Sequence, residues 1–210
     1  MAAMTTTPRL VLASHNEHKL GELRAILRPV VGDLDPAQVV SAREFGAPEP
    51  VEDGLTFAEN ALIKARALAA ATGLPSVADD SGLAVDVLGG APGIFSARWS
   101  GRHGDDAANL DLLLAQISDV ALEHRLAQFV CAAALVTPQG DEHVELGRMH
   151  GYLLTERRWD GGFGYDPIFV PEGATRTTAE LSPEEKNAIS HRGRAFRALA
   201  PHIAWALAVG

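Results

Sequence analysis

Two adjacent carboxylates, Asp79 and Asp80, are the residues of this sequence best suited to chemistry. A short apolar run precedes them, Ser81 and Gly82 follow, and an alternating apolar run resumes at Leu83. Neighbouring carboxylates repel one another unless a cation or a proton lies with them. Mg²⁺ takes oxygen ligands, usually one or two carboxylates together with phosphates. The pair therefore indicates a metal site, and the alternative is a solvated Asp-Asp-Ser-Gly turn, because these residue types favour turns.

A lysine in the middle of an otherwise apolar helical face is the second such feature. The capping box Thr56–Glu59 begins a helix that Gly73 ends. At about 100° per residue, Lys64 falls among the apolar residues of this helix, and Asn60 lies at the edge of the same face. Because burial of an unpaired ammonium is costly, we expect Lys64 to face carboxylates or phosphate together with Glu52. The alternative is that its chain extends along the surface to solvent.

A strand, a polar turn and the start of a helix follow one another over residues 9–19. This arrangement directs unpaired backbone N–H groups at the space beyond the strand, a position that anions favour. Ser14 and Asn16 can cap the helix or donate to phosphate oxygens, and Lys19 adds a positive charge. The alternative is a plain N-cap with a solvated Lys19, since the segment lacks the GxxxxGK pattern of a Walker loop.

A glycine-rich segment at 161–170 also has the composition of a ligand-binding loop. Its glycines let the backbone approach a ligand closely, and Phe163 and Tyr165 offer rings that stack on a flat group. The alternative is a flexible loop whose aromatic residues anchor it to the core. The GxGxxG pattern of a dinucleotide site is absent.

Lys186, His191 and Arg192 form a compact set of donors near the end of an acidic chain. The rigid fork of an arginine suits carbonyl or phosphate oxygens. The alternative is that Lys186 complements a helix C-terminus and that His191 is a turn residue.

Interleaved strand and helix patterns surround these residues and predict an α/β fold. Strands are predicted at 9–13, 38–40, 77–78, 83–87, 125–137 and 141–154, the last two as an antiparallel hairpin. Helices are predicted up to Pro29, at 56–72 and 104–117, from Ser182, and at 194–207.

Composition limits the classes of function. The net charge of −9 disfavours sequence-independent nucleic-acid binding, which needs a basic surface. The single Cys131 lies in an apolar run, which predicts a packed side chain and no internal disulfide. No apolar run reaches the length of about 20 residues that a membrane span needs. We expect a disordered tail over residues 1–8, one domain over 9–210, and a cytoplasmic location.

Four segments in this order resemble the inosine/xanthosine triphosphate pyrophosphatases, which remove deaminated purine nucleotides. The segments are Ser14–Lys19, Ala78–Leu83 with the Gly-Gly-Ala-Pro-Gly-Ile that follows, Gly162–Pro167 and Ser190–Gly193. The match runs from residue 9 to about residue 200, and the ordered set is far more specific than any one motif. One departure is His15, which is bulkier than the residue usual at this place.

The resemblance implies a two-lobed α/β fold with an elongated mixed β-sheet flanked by helices and a nucleotide cleft between the lobes, usually as a homodimer. It implies Mg²⁺-dependent hydrolysis of ITP, dITP and XTP to the monophosphate and pyrophosphate. Related enzymes acting on other modified nucleotides, and a nucleotide sensor without turnover, are the alternatives.

Residue roles are implied by the same resemblance. Asp80 would bind the metal and activate water, and Glu52 would be a second metal-site carboxylate. Asp79, Lys64 and Asn60 would support the site. The triphosphate would be bound by Ser14, His15, Asn16, Glu17, His18 and Lys19. The nucleoside and base would be bound by Ser81, Phe163, Gly164, Tyr165, Asp166, Lys186, His191 and Arg192.

Selectivity would depend on the 6-position of the purine. Hypoxanthine and xanthine present a carbonyl acceptor there, whereas adenine presents an amino donor. Donors such as Lys186 and Arg192 match the carbonyl, and adenine would leave them unpaired, which can cost orders of magnitude in rate. Guanine shares the 6-oxo group, so its rejection depends on the 2-amino position.

Overall fold

The computed structural model describes residues 7–14, 17–47, 49–159 and 162–209. The strands in these residues are β1 (Leu10–Leu12), β2 (Val39–Ser41), β3 (Ser76–Val85), β4 (Leu126–Val136), β5 (Glu142–Leu153) and β6 (Phe169–Pro171). The α-helices are α1 (Glu17–Leu27), α2 (Phe57–Thr72), α3 (Asp106–Gln116), α4 (Pro183–Ile189) and α5 (His191–Val209).

The strands form one sheet in the order β2-β1-β3-β4-β5-β6. β1 pairs in parallel with β2 and β3, and β5 pairs antiparallel with β6, so the sheet is mixed. The turn between β4 and β5 is closed by the Thr137 N–H, which donates to the Asp141 carbonyl at 3.0 Å. The predicted α/β class with a mixed sheet and flanking helices is confirmed.

The chain divides into two compact units, which we call the first and the second unit. The first comprises the residues up to Asp80, 132–147 and those from Arg192. Its core brings alanines of α2, including Ala61 and Ala65, against Ala78 and alanines of β4. Side chains this small let the helix approach the sheet closely, and that approach brings the polar residues of α2 near the end of the first unit's part of β3.

The second unit comprises 81–131 and 148–191. Its core joins the distal half of β3 to helix α3 and to β5 and β6 through large aliphatic and aromatic side chains. Fully buried members include Leu83, Leu110, Leu113, Leu153 and Phe169.

Local signals placed α2 correctly. The Thr56 hydroxyl accepts from the Glu59 N–H at 3.1 Å, and the Glu59 carboxylate accepts from the Thr56 N–H at 3.0 Å. Gly73 ends the helix with φ +68° and donates to the Ala69 carbonyl. The capping box and the glycine end are therefore confirmed. Cys131 is fully buried, as its apolar surroundings predict.

Two local predictions were wrong. The strands predicted separately at 77–78 and 83–87 are one strand, because β3 runs without a break from Ser76 to Val85, and the alternative of a turn at Asp-Asp-Ser-Gly is therefore excluded. Gly82 is needed there for packing, since a Cβ would lie 2.4 Å from the Ser96 hydroxyl oxygen. The last helix begins at His191, not at Arg194, because Ser190 is extended and α5 starts directly after it.

Part of the predicted tail, residues 1–6, lies outside the described residues, and Thr7 and Pro8 have no regular secondary structure. Among the helices that the structure describes, none is long and apolar enough to cross a membrane.

Candidate functional site

The strand β3 supplies both central carboxylates. Successive side chains of a strand point to opposite faces of the sheet. In agreement with this, Asp79 and Asp80 have different partners, which come from different helices. The direct ion pairs of the two carboxylates are thus separate, Lys19 and Arg192 for Asp79 and Lys64 for Asp80, and the Lys64 charge also lowers the pKa of Asp79.

Asp79 is the centre of the first set. The Lys19 ammonium of α1 donates to both of its carboxylate oxygens at 3.0 Å, and the Arg192 Nε of α5 donates to Oδ2 at 3.1 Å. Burial alone would raise the pKa of Asp79, but the positive charges of Lys19 and Arg192 outweigh it and hold that pKa far below its usual range. Asp79 is therefore ionised and fixes two cations beside β3.

Asp80 belongs to the second set, which is built on α2. The Asn60 amide donates to Oδ2 at 3.1 Å, and the Lys64 ammonium lies 3.7 Å from Oδ1 and 3.2 Å from the Glu52 carboxylate. Asn60 also accepts from the Gly54 N–H at 2.9 Å, which holds the segment that carries Glu52. The prediction that Lys64 faces carboxylates together with Glu52 is confirmed.

The pKa of Asp80 is shifted in the opposite direction. Burial raises it, and neither the Lys64 charge nor the Asn60 hydrogen bond fully compensates. One of two neighbouring aspartates thus holds a proton more readily than an ordinary carboxylate, and the other less readily. Such divergence is typical of carboxylates with different chemical roles.

The carboxylates around Lys64, Glu52 and Asp80, can be compared with the ligands that a metal ion needs. Among the described residues no group of three or more His, Cys, Asp or Glu side chains is arranged to hold one. A closed structural site of the zinc type is therefore not formed there. Glu52 and Asp80 both contact the Lys64 ammonium, and two carboxylates beside one cation fit Mg²⁺, which takes one or two carboxylates with waters and phosphates.

The second unit contains another polar cluster, centred on Asp166. This buried carboxylate accepts from the Thr178 hydroxyl at 2.8 Å, the Phe163 N–H at 3.0 Å and the Lys186 ammonium at 2.5 Å. The Lys186 nitrogen also lies 4.2 Å from the centre of the Phe163 ring. Asp166 therefore fixes both a donor and an aromatic ring.

The two aromatic residues of the glycine-rich segment differ. Tyr165 is buried, and its hydroxyl donates to the Ser96 carbonyl at 2.9 Å, so it anchors the loop. Phe163 is 65% exposed and can be reached by a ligand. The anchoring alternative thus holds for one ring and not for the other.

The three predicted donors near the end of the chain have separate partners. Lys186 pairs with Asp166, and Arg192 pairs with Asp79. The His191 ring stacks on Phe129 at 5.1 Å with an interplanar angle of 14°.

The remaining predicted residues lie at the start of α1 and within β3. Ser14 and Ser81 are half-buried. His15 and Asn16 lie outside the described residues, and Glu17 and His18 are the first backbone positions of α1.

Three residues with contacts to the predicted site residues were not predicted from the sequence. Thr178 donates to Asp166, and Phe129 stacks on His191. The Asp106 carboxylate accepts from the Gly164 N–H at 2.8 Å. The Asp105-Asp106 pair at a helix start gave a weak signal, since one acid is enough for capping.

The chain is similar to proteins of one family over nearly its whole length. The Ham1 family model matches residues 10–202. A dITP/XTP pyrophosphatase of Streptomyces coelicolor is 64% identical over 197 residues, which cover 93% of this chain and 96% of that protein. A dITP/XTP pyrophosphatase of Corynebacterium efficiens is 55% identical over 203 residues, which cover 93% and 97%.

Solved structures give the same result. The crystal structure of the nucleoside-triphosphatase / dITP/XTP pyrophosphatase from Mycobacterium abscessus has a TM-score of 0.76 at 55% identity, over 92% of this chain and 99% of that one. The HAM1 protein from Coxiella burnetii has a TM-score of 0.84 at 41% identity, over 95% and 100%. Sequence and fold agree, and the chain belongs to the Ham1 family.

Proposed function

We propose that this chain is a metal-dependent nucleoside triphosphate pyrophosphatase that hydrolyses ITP, dITP and XTP to the monophosphate and pyrophosphate. Relatives that are 64% and 55% identical carry the name dITP/XTP pyrophosphatase. The observation that carries the proposal is the pair of adjacent carboxylates, Asp79 and Asp80, which form ion pairs with different cations.

The charge of the cluster supports a requirement for a metal ion. Its ion pairs join three cations to three carboxylates: Lys19, Lys64 and Arg192 to Glu52, Asp79 and Asp80. A triphosphate adds several negative charges to a group that is already balanced. Mg²⁺, held by Asp80 and Glu52, would neutralise phosphoryl charge and lower the pKa of bound water.

Asp80 would act as the base. Its position supports this role, because Asn60 and Lys64 orient its carboxylate beside Glu52, the other residue that would hold the metal ion. Asn60 fixes one carboxylate oxygen, and Oδ1, on the side of Lys64, would take the proton of the attacking water. Attack at the α-phosphorus then releases pyrophosphate as the leaving group.

Asp79 would not take part in proton transfer. Its charge holds Lys19 and Arg192 in place, and Lys19 would bind the triphosphate together with the residues from Ser14 to His18. A sensor without turnover would gain little from the further carboxylates Glu52 and Asp80 beside a polyanion, whereas hydrolysis would use them to hold a metal ion and to activate water.

Base recognition would fall to the cluster of the second unit. The exposed Phe163 ring offers a stacking surface, and Lys186, oriented by Asp166, offers a donor to the 6-oxo group of hypoxanthine or xanthine. Gly164 and Tyr165 would shape this loop. Ser81 and His191 of the same unit would complete its nucleoside contacts, and Arg192, which belongs to the first unit, stays a proposed nucleotide-binding residue.

We also propose a homodimer that acts on the nucleotide pool in the cytoplasm. The net charge of −9 argues against nucleic acid as a partner.

A product-resolved assay tests the proposal. ITP, XTP, GTP, ATP and dTTP are incubated with and without Mg²⁺, and pyrophosphate is measured separately from orthophosphate. We expect metal-dependent pyrophosphate release from ITP and XTP and little from ATP. Orthophosphate release would move the attack to the γ-phosphorus and refute the assignment of Asp80. Tight ITP binding without turnover would indicate a sensor.

A further inference from the structure

The glycine-rich segment that carries Phe163 is held mainly at its C-terminal end. Tyr165 and Asp166 are buried and bonded to the surrounding unit. Phe163 is mostly exposed, and Gly164 adopts a left-handed backbone with φ +58°. Within the loop, the Phe163 N–H donates to the Asp166 carboxylate at 3.0 Å. A contact from outside the loop would further restrict the position of the Phe163 ring.

Helix α3 provides that contact through its first residue. The helix begins with two acids, and Asp105 is the one that caps it, because its side chain accepts from the Ala108 N–H at 3.2 Å. Asp106 is not used for the cap. Its carboxylate Oδ2 accepts from the Gly164 N–H at 2.8 Å.

The same helix holds the chain just before the loop. The Arg157 Nη2 donates to the Ala107 carbonyl at 3.0 Å and to the Asp111 carboxylate at 2.5 Å. The chain before the glycine-rich segment thus contacts α3 through Arg157, and the Asp106 bond reaches Gly164 in the segment itself.

We infer that Asp106 is a positioning residue for base recognition: by accepting from the Gly164 N–H, it holds Phe163 against Lys186. The inference rests on the proposed function, in which Phe163 and Lys186 contact the base. Asp106 does not touch the reacting atoms, so its loss should weaken binding of the base and leave the rate of the bound complex unchanged. Because Asp106 is solvent-exposed, we expect an effect of about 3- to 10-fold, the range that one net hydrogen bond gives.

Three variants separate the hydrogen bond from charge and from helix capping. Asp106→Ala removes the acceptor, whereas Asp106→Asn keeps an amide oxygen that accepts from the same N–H and removes only the charge. Asp105→Ala is the matched control, because it removes the neighbouring acid and the cap. Each variant is compared with the wild type for KM and kcat with XTP, for inhibition by IMP and by pyrophosphate, and for hydrogen exchange of the Gly164 amide by NMR.

For Asp106→Ala we expect a KM for XTP and an inhibition constant for IMP that rise together, with kcat and pyrophosphate inhibition unchanged. The Gly164 amide should exchange faster in the same variant. Asp106→Asn should restore the KM, the inhibition constant for IMP and the Gly164 exchange rate to their wild-type values. Asp105→Ala should lower the melting temperature without changing KM.

An unchanged KM in Asp106→Ala, or an equal loss in Asp106→Asn, would overturn the inference. A wild type that releases no pyrophosphate from XTP or dITP would instead refute the proposed function. If the wild type is active and Asp106→Ala shows an unchanged rate of Gly164 amide exchange, the inference about Asp106 would be refuted and the proposed function would stand.

Discussion

The same substitution at two neighbouring residues, Asp79 and Asp80, should have different effects on stability. Asp79→Asn keeps the shape of the side chain and removes the charge that pairs with Lys19 and Arg192. Loss of one partner from a buried ion pair costs about 3–5 kcal/mol. The side chains of Lys19 and Arg192 are 24% and 15% exposed, and solvent therefore recovers part of that cost, which leaves about 2–4 kcal/mol.

That loss should be visible as a lower melting temperature. For a chain of 210 residues, each kcal/mol shifts the melting temperature by about 2–4 °C. We therefore expect Asp79→Asn to melt roughly 5–15 °C below the wild type.

Asp80→Asn should behave differently. Burial raises the pKa of Asp80, which means that folding disfavours its charged form in spite of Lys64. The neutral amide removes that penalty, and Lys64 keeps the Glu52 carboxylate at 3.2 Å. We expect stability equal to that of the wild type or slightly higher, with kcat lower by about 10²- to 10⁴-fold, the range for loss of a general base.

Two measurements test these predictions for Asp79→Asn and Asp80→Asn. Thermal and urea unfolding at pH 7 compares the stability of both variants with that of the wild type, and pyrophosphate release from XTP compares their activity. Equal destabilisation by the two substitutions would refute the assignment of separate cations to the two aspartates. Wild-type turnover by Asp80→Asn would refute its role as the base.

Three further outcomes are expected. Gly82→Ala should destabilise by about 1–3 kcal/mol, the usual cost of overpacking, because its Cβ would clash with the Ser96 hydroxyl and the Gly93 carbonyl oxygen. Gly21→Ala, in helix α1 with open space around it, is the control and should stabilise in the same urea titration. The stability that ionised Asp79 contributes is complete above its ordinary pKa of 3.8 and is lost as the pH falls through its lowered folded pKa. The difference in unfolding free energy between the wild type and Asp79→Asn should therefore become smaller below pH 3.8, as measured by acid titrations followed by circular dichroism. Lys186→Ala should raise the KM for XTP and reduce discrimination against ATP while leaving pyrophosphate inhibition unchanged, and wild-type discrimination would contradict its role in base recognition.

The part of the site built on α2 could be predicted from the sequence, because its signals are local. A capping box and a terminal glycine fix the ends of the helix, and the helical period then places Lys64 among apolar residues. A buried ammonium needs an anion, and the structure supplies Glu52 and Asp80. This prediction needed only residues close together in the chain and the free-energy cost of burying an unpaired ammonium.

The partners of Asp79 could not be predicted in this way. Lys19 is 60 residues away and Arg192 is 113 residues away. Their approach depends on where α1 and α5 pack against the sheet, and nothing in the local sequence specifies that. The Arg192–Asp79 ion pair was accordingly missed, and the assignment of Arg192 to the base stays a prediction.

The continuous strand also overrode local propensity. Asp, Ser and Gly favour turns, yet Ala78 and Leu83 on either side of them are fully buried. The paired cations remove the repulsion that would otherwise break the strand, so tertiary contacts decide the backbone conformation of the Asp-Asp-Ser-Gly segment.

The strand conformation has a consequence for chemistry. In a solvated turn both aspartates would face water, and their pKa values would stay close to one another. In β3 the pleat gives each its own surroundings: Asp79 has two cations within 3.1 Å, whereas Asp80 has one ammonium at 3.7 Å that it shares with Glu52. The first is held as a permanent anion that orders Lys19 and Arg192, and the second becomes the stronger base. Two identical residues thus acquire two roles because the backbone between them is extended.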